Sequence, residues 1–524
     1  MDFTIHPYSL LLVSLAFAWW IQAYLKDRHA NPRRLPRPPG PKGYPIIGSL
    51  LNAPMTFPWL EYDKWLKIFG DMVYFEILGQ SFLVLGSPQR INDLFEKRGA
   101  IYSDRPRMIM AMDMLGWGYN FGLIPYGSWW RRHYRLFHDH YGADKLVKFQ
   151  PTMLKTTRSF LRRLLSNPEG FLHHTRHLFI SSIMEITYGI PVEDPHDPLI
   201  TNAEIVLDAI IEAMVPGKFL VDMIPALQYV PEWFPGAGWK RRANYVKKVN
   251  RLVSWGPFNA VKENLERGTA VPSVAVSMIE GIENKPGLNR AEEEEIIMNA
   301  SATAFAGGSD TTVIMVEAFF LAMIMYPEVQ KKAQDELDAV LGGRLPDIND
   351  RTSLPYINAL VKELLRWHLV TPLGVPHAIV QADEYDGFYI PKGTIVIGNS
   401  WSSITRSLLH DPDVFDEPMR LMPERYLKGG QLNPKVRDPW DFSFGYGRRV
   451  CPGRHIADMS LFVVITSVLT VFDIKPPLDD EGMPMEPKAE FTPYLISAPV
   501  PFQVRILPRS KKAEILIRDT ELME

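Results

Sequence analysis

Cysteine is almost missing: the 524 residues hold a single one, Cys451. An intrachain disulfide is thereby excluded, and a large chain without disulfides points to a reducing, cytosol-facing compartment. Net charge is nearly absent too, with 57 Lys and Arg against 60 Asp and Glu giving −3. Such a balance gives no basic surface of the kind nucleic acid needs, so no nucleic-acid partner is expected. Beyond the N-terminal region there is no internal repeat, low-complexity tract or long polar linker. The length alone would admit two or three domains, but one large domain is the simpler organisation. A Gly-rich dinucleotide fingerprint is missing as well. What the chain does have is apolar substance, 46% hydrophobic against 22% charged residues, which excludes global disorder.

The long uncharged run YSLLLVSLAFAWWIQAYL extends from Tyr8 to Leu25. As a helix it would rise about 27 Å at ~1.5 Å per residue, close to a membrane span. No Lys or Arg precedes it, and Trp19-Trp20 prolong it past Ala16-Phe17-Ala18, so an uncleaved transmembrane anchor over 8–25 is expected rather than a signal peptide. Lys26, Arg28, Arg33, Arg34 and Arg37 follow while Asp2 precedes. The positive-inside rule then leaves residues 1–7 lumenal and the bulk of the chain cytosolic, a single-pass arrangement expected at the endoplasmic reticulum. Residues 26–45 read as a basic, proline-rich linker, in which Leu35 to Pro41 (LPRPPGP) forms a stiff extended spacer. Residues 46–510 are the expected globular domain and 511–524 a polar C-terminal tail. Helical periods dominate the domain and short β-like runs such as Val73 to Gly86 accompany them, predicting a mainly α fold with a smaller β-region.

Phe444-Gly445-Tyr446-Gly447-Arg448-Arg449-Val450-Cys451-Pro452-Gly453 fits F-x-x-G-x-R-x-C-x-G at every fixed place. The chance of such a match in a chain this long is on the order of one in ten thousand. A lone cysteine is ordinarily an inert core thiol, but this spacing argues for a metal ligand. A thiolate on haem iron donates electron density and favours O–O cleavage, and it needs a confined pocket with hydrogen-bond donors. Gly447 and Gly453 would let backbone N–H groups approach the sulfur. Phe444 would shield it, and Arg449 offers charge-assisted bonds to a haem propionate. The apolar run from Ile456 to Val471 predicts a buried helix whose N-terminal dipole favours the thiolate. The segment resembles the haem-binding loop of the cytochrome P-450 superfamily, including its fungal members.

Further elements are similar to that family's. A buried helix is predicted from Asn289, with acidic residues in its first turn, to Met325 before Pro327. In its middle stands Gly307-Gly308-Ser309-Asp310-Thr311-Thr312, where each glycine costs about 1 kcal/mol against alanine, a broken local rule that suggests function. The resemblance implies catalytic roles for Thr311, as the hydroxyl that hydrogen-bonds activated oxygen, and for Asp310, which supplies protons through water. By itself the motif is better read as a kinked core helix with a local Thr back-bond; beside Cys451 that order reverses. Asn299-Ala300-Ser301 matches a glycosylation sequon, but a buried cytosolic helix argues against modification. Glu363-Leu364-Leu365-Arg366 places opposite charges on one helical face, and Pro423-Glu424-Arg425-Tyr426 is similar to the family's P-E-R-F element. The resemblance implies a structural network of Glu363, Arg366 and Arg425 that braces the cysteine loop, and places His377 at a haem propionate.

Two places depart from the family pattern. Around Trp129 and Trp130, where the family has W-x-x-x-R, the fourth position after Trp130 is Tyr134, leaving Trp130 with His133 as the expected propionate contacts. Between Asn399 and Pro412 the chain is longer than usual, which reads as a small insertion. The resemblance also implies haem b with Cys451 as axial ligand, dioxygen and NADPH-derived electrons as co-substrates, a separate membrane-bound NADPH-dependent flavoprotein reductase, and a small lipophilic substrate that gains one oxygen atom by hydroxylation or epoxidation. Secondary metabolism or oxidation of polycyclic aromatic xenobiotics is a further expectation. A haem-thiolate isomerase or dehydratase, and a non-catalytic haem protein, stay open as alternatives. The methionine-rich stretch from Arg107 to Ile124 can line an adaptable pocket or serve as plain core, and Tyr229 to Arg242, with Trp233 and Phe234, is placed at the membrane interface.

Overall fold

The computed structural model describes residues 28–523 except 195–196, 216, 284–286, 288 and 403–408, together with Ile21 and Leu25. The expected anchor and lumenal segment therefore lie, but for those two residues, outside the described part, as does the centre of the expected insertion. The insertion's flanks are pinned. Asn399 donates to the Trp59 carbonyl at 3.0 Å, Ser402 to Asp63 at 3.0 Å, and His410 stacks on Trp401.

The architecture is mainly helical with a small β-region, as the periodicity predicts. Helix α1 (Pro58–Phe69) leads into a hairpin of β1 (Met72–Ile77) and β2 (Gln80–Leu85). Its turn needs positive φ at both Leu78 and Gly79 (48° and 82°), the conformation that matches strand twist. The helices that follow and matter for the site are α2 (Ser128–Tyr141), α3 (Gln150–Ser166), α4 (Phe171–Tyr188), α5 (Pro198–Ala213), α6 (Gly238–Glu266), α7 (Arg290–Gly308), α8 (Thr311–Met325), α9 (Pro327–Leu341) and α10 (Pro355–Trp367). Strands β3 (His377–Ala378) and β4 (Ile395–Gly398) complete a sheet of order β1-β2-β4-β3, with β4 parallel to β2 and antiparallel to β3. Helix α11 (Arg454–Val471) and an antiparallel pair, β5 (Phe472–Lys475) and β6 (Arg505–Pro508), close the fold.

Two large apolar clusters make the core. One joins α2, α4, α5, α6 and α7. The other joins α8, α9, α10 and α11, and is filled by side chains such as Phe319, Phe320 and Phe462. Two helical runs, Arg290–Met325 and Arg454–Val471, have the length and hydropathy of membrane spans, but most of each is buried inside the protein, so their apolarity serves this core.

Three expectations change. The Asn289–Met325 helix is not continuous: Ser309 N–H closes α7 on the Phe305 carbonyl, and α8 restarts with Ile314 N–H on the Asp310 carbonyl. Gly308 permits α4 to come close, since a Cβ there would lie 3.1 Å from Ile183, whereas Gly307 faces open space. The proline-rich spacer is laid on the domain. Tyr389 and Tyr74 donate backbone N–H to the Pro36 and Pro39 carbonyls at 2.9 Å, Arg37 lies over the Tyr389 ring, and a Cβ on Gly40 would collide with the Tyr74 carbonyl. The C-terminal segment is no free tail. Lys511–Asp519 is a helix capped by Ser510, and it buries Ala513 and Ile517, four residues apart, on the core that holds α3.

Candidate functional site

The two core clusters leave an interior cavity of about 400 Å³ between them. Cys451 reaches it from the loop before α11, and Gly307, Asp310 and Thr311 from the α7–α8 junction. The loop is closed by the Cys451 N–H on the Phe444 carbonyl at 2.8 Å, while Phe444 packs its ring on Trp440. Burial pushes the Cys451 thiol pKa up. The N–H groups of Gly453 and Arg454 and the Arg454 charge pull it down. Cys451 is half-buried and lines the cavity. A Cβ on Gly453 would sit 4.0 Å from the sulfur.

Gly447 has a different duty from the one expected. Its φ is +57°, a Cβ there would lie 2.2 Å from the Phe95 carbonyl, and its N–H goes to Glu96 at 2.8 Å. It docks the loop on the helical turn Asn92–Lys97 instead of baring N–H to the sulfur.

At the α7–α8 junction the Thr311 hydroxyl donates to the Gly307 carbonyl at 2.8 Å. Asp310 is 6% exposed, with Oδ1 3.9 Å from Arg176 Nη2. Burial raises its pKa, and Arg176 opposes the rise.

Three basic side chains converge at one end of the cavity: Arg105, His377 and Arg449. Arg449 lies over the Trp130 ring at 4.9 Å and donates Nη2 to the Gly122 and Ile124 carbonyls. Its Nη1 is buried with no acceptor among the described residues, and burial lowers its pKa to about 10. Arg105 donates to the Val375 and Pro376 carbonyls at 2.6 and 2.9 Å. His377 Nδ1 bonds the Tyr102 carbonyl at 2.8 Å and must donate there. Orphaned buried donors are rare, and Arg449 Nη1 calls for an anionic oxygen. A soft thiol on the same cavity calls for a soft metal. The donor set therefore fits a metal cofactor bearing carboxylates, which is what haem is.

His133 does not belong to this set. Its Nδ1 donates to the Trp129 carbonyl and Nε2 accepts from Asn299 Nδ2 at 3.2 Å, fully buried against α7. Counting four residues from Trp129 finds the right helix but the face turned away from the cavity. Among the described residues Trp130 meets the site through Arg449 and does not line the cavity, and Tyr134 stacks on Trp130 at 4.8 Å. The sequon residue Asn299 is thereby committed to a buried contact.

Behind the site, Glu363 receives Arg366 through Nε and Nη2 at 2.7 and 2.8 Å, Arg425 Nε at 3.0 Å and the Met422 N–H at 2.7 Å. Arg366 also donates to the carbonyls of Leu409, Pro418 and Arg420. Glu363 and Arg366 are 0% exposed. The expected triad is thus assembled, and the Ser443 hydroxyl on the Leu365 carbonyl at 3.2 Å ties α10 to the approach of the cysteine loop.

Sequence reasoning missed Arg105 and Arg176. Arg105 stands in YSDRPR, a polar patch before the methionine-rich stretch, and its only signal was a charge beside a proline. Arg176 had none, being one of several basic residues on an amphipathic helix.

Comparison with known proteins places the site in context. The profile of the family described as Cytochrome P450 matches residues 38–505. The chain is 45% identical over 484 residues to cytochrome P450 monooxygenase COX2 of Coprinopsis cinerea, covering 92% of this chain and 91% of that one. It is 40% identical over 518 residues to cytochrome P450 monooxygenase 98 of Postia placenta, with 98% of each covered. It is 37% identical over 513 residues to tryptamine 4-monooxygenase of Psilocybe cyanescens, covering 96% and 98%.

Proposed function

Because the chain belongs to the cytochrome P450 family and is a haem-thiolate monooxygenase, we propose that it adds one atom of dioxygen to a small lipophilic substrate by hydroxylation or epoxidation. The other atom leaves as water, with electrons from NADPH delivered by a separate flavoprotein reductase. The observation that carries this reading is the sharing of one largely apolar cavity by Cys451 and the Asp310–Thr311 pair. Haem b would be held through the Cys451 sulfur and would supply the activation of dioxygen. Arg449, Arg105 and His377 would hold its carboxylates, and the Gly453 N–H would orient the sulfur. Phe444 keeps water from the ligand side. Asp310 passes protons from solvent, and the Thr311 hydroxyl, free to turn from the Gly307 carbonyl, hands them to oxygen. The fungal relatives favour a role in secondary metabolism.

The test is a substrate panel run with reductase and NADPH in microsomes, where products dependent on NADPH and dioxygen support the reading. Product formed without NADPH would instead mark an isomerase or dehydratase. In Thr311→Ala, product per NADPH consumed is expected to fall about tenfold with NADPH oxidation largely kept. Unchanged coupling would remove Thr311 from the relay.

A membrane position on the cytosolic face of the endoplasmic reticulum belongs to the same proposal. Tyr229 and Trp233 are each 79% exposed and Phe234 51%, beside Lys240, Arg241 and Arg242, a composition suited to the headgroup region. Amide exchange across residues 229–237 of the full-length protein should slow about tenfold in a bilayer relative to detergent. Equal rates would place this loop in water.

A further inference from the structure

We propose that Trp117 is a specificity-determining residue whose indole N–H donates a hydrogen bond to an oxygen on a neutral lipophilic substrate, such as a ketone or a hydroxyl. This rests on the monooxygenase reading above and narrows its substrate class. Trp117 stands in the methionine-rich stretch, lines the cavity that Cys451 and Thr311 share, and is 3% exposed. Its Nε1 is buried with no hydrogen-bond partner among the described residues. An unmatched buried donor is destabilising. A phenylalanine would fill the same place without that cost, so packing alone does not explain the indole.

The loop around Trp117 is fixed on α6, which keeps the ring from turning to another acceptor. Lys247 donates Nζ to the Asp113 carbonyl at 2.8 Å, and Asn250 donates Nδ2 to the Leu115 carbonyl at 3.0 Å. Gly116 turns the chain at φ +80°, where a Cβ would lie 3.1 Å from Lys247 Cγ. On the other side Tyr119 stacks on the indole at 5.7 Å, and its hydroxyl donates to Asn250 Oδ1 at 3.4 Å. The donor is therefore preorganised.

The rest of the lining decides what kind of group this N–H meets. Arg105, Arg449 and His377 converge at the end suited to the haem carboxylates. Among the described residues the lining holds one carboxylate, Asp310, and Arg176 lies 3.9 Å from it. That leaves no charged side chain in the lining to pair with an ionic substrate. Asn120, also in the lining, accepts the Gly122 N–H on Oδ1 at 2.8 Å, so its carboxamide offers Nδ2 as a second donor. The remaining wall is largely apolar, with Phe137, Ile183, Ile186, Leu207 and Ile210. Unmatched donors among apolar walls select a hydrocarbon skeleton that carries a neutral acceptor, and they disfavour the same skeleton without it, because the N–H then stays unpaired.

The test uses the full-length holoprotein and two pairs of probes, cyclododecanone with cyclododecane and cyclopentadecanone with cyclopentadecane. Dissociation constants are read by equilibrium dialysis. Wild type is expected to bind at least one ketone about tenfold more tightly than its hydrocarbon, the effect of one hydrogen bond. In Trp117→Phe that ratio should fall to about one, with the hydrocarbon constants kept within about twofold. If the Phe variant fails to fold, 3-benzothienylalanine at position 117, which replaces N–H by sulfur in the same outline, carries the same expectation. A wild-type protein without the preference overturns the proposal, as does a variant that keeps it. Equal weakening of ketone and hydrocarbon would mark Trp117 as packing. A carbon monoxide spectrum or haem content altered in both variants would assign the N–H to a haem carboxylate, and either result overturns the proposal. Binding needs neither NADPH nor reductase. Absence of the preference with turnover intact therefore strikes Trp117 alone, whereas the preference without NADPH-dependent product upholds Trp117 and strikes the monooxygenase reading.

Discussion

Replacing Cys451 with serine is expected to erase the thiolate-type reduced carbon monoxide spectrum and to lower turnover at least ~10³-fold. The substitution is nearly isosteric, so helix content and the Glu363 brace should persist. What changes is the donor. The Gly453 and Arg454 N–H groups and the start of α11 act on a soft, ionisable sulfur. A hydroxyl in the same place stays protonated, since these few dipoles cannot offset its much higher pKa. Arg449, Arg105 and His377 do not depend on the sulfur and should still retain part of the haem, so haem content should fall less than activity does. Haem per polypeptide, the spectrum and NADPH-dependent product formation separate these effects. A serine protein that kept a thiolate-type spectrum would be decisive against Cys451 as the ligand.

The legible parts of this protein were those whose chemistry is contiguous in sequence. The cysteine loop spans ten residues and its spacing alone carried it, while the six-residue Gly-Gly-Ser-Asp-Thr-Thr segment took its functional reading from standing beside that loop. The Glu363–Arg366 pair was legible because three residues bring side chains together on any helix, and its apolar flanks announced burial. What failed depended on which surface a helix turns inward. His133 was four residues from a tryptophan, yet its ring is committed to Asn299, 166 positions away. The C-terminal helix was hidden because its apolar residues Ala513, Ile515, Leu516 and Ile517 sit in a charged segment, and nothing local shows that Ala513 and Ile517 are the pair that turns inward. The break at Ser309 and Asp310 was invisible because glycine signals a permissive backbone without fixing where it parts. Arg176 of α4 and Asp310 at the α7–α8 junction come within 3.9 Å, a contact no local pattern encodes.

The second large effect belongs to the brace. Glu363→Gln should destabilise the holoprotein by about 3–5 kcal/mol, the usual cost of breaking a buried ion pair by removing one partner. Glu363 offers two oxygens to four N–H donors, from Arg366, Arg425 and Met422. Glutamine keeps one oxygen and turns an NH₂ toward a guanidinium that is 0% exposed. Arg366 then holds an uncompensated charge while still tied to three backbone carbonyls between Leu409 and Arg420, so the loop leading to the cysteine segment loosens with it. Asp335→Asn provides the contrast, because the Lys331–Asp335 pair is 67% and 58% exposed and its loss should change stability by under ~0.5 kcal/mol. Urea unfolding followed by haem absorbance measures both. Haem release should precede loss of helix in the Glu363 variant, since the brace sits on the sulfur side of the site. A Glu363→Gln protein within about 1 kcal/mol of wild type would mean that water reaches the brace and screens it, contrary to its burial. Replacing Glu363, Arg366 and Arg425 together with apolar residues of similar volume should recover part of the loss, because the penalty lies in the unpaired charge and not in missing attraction.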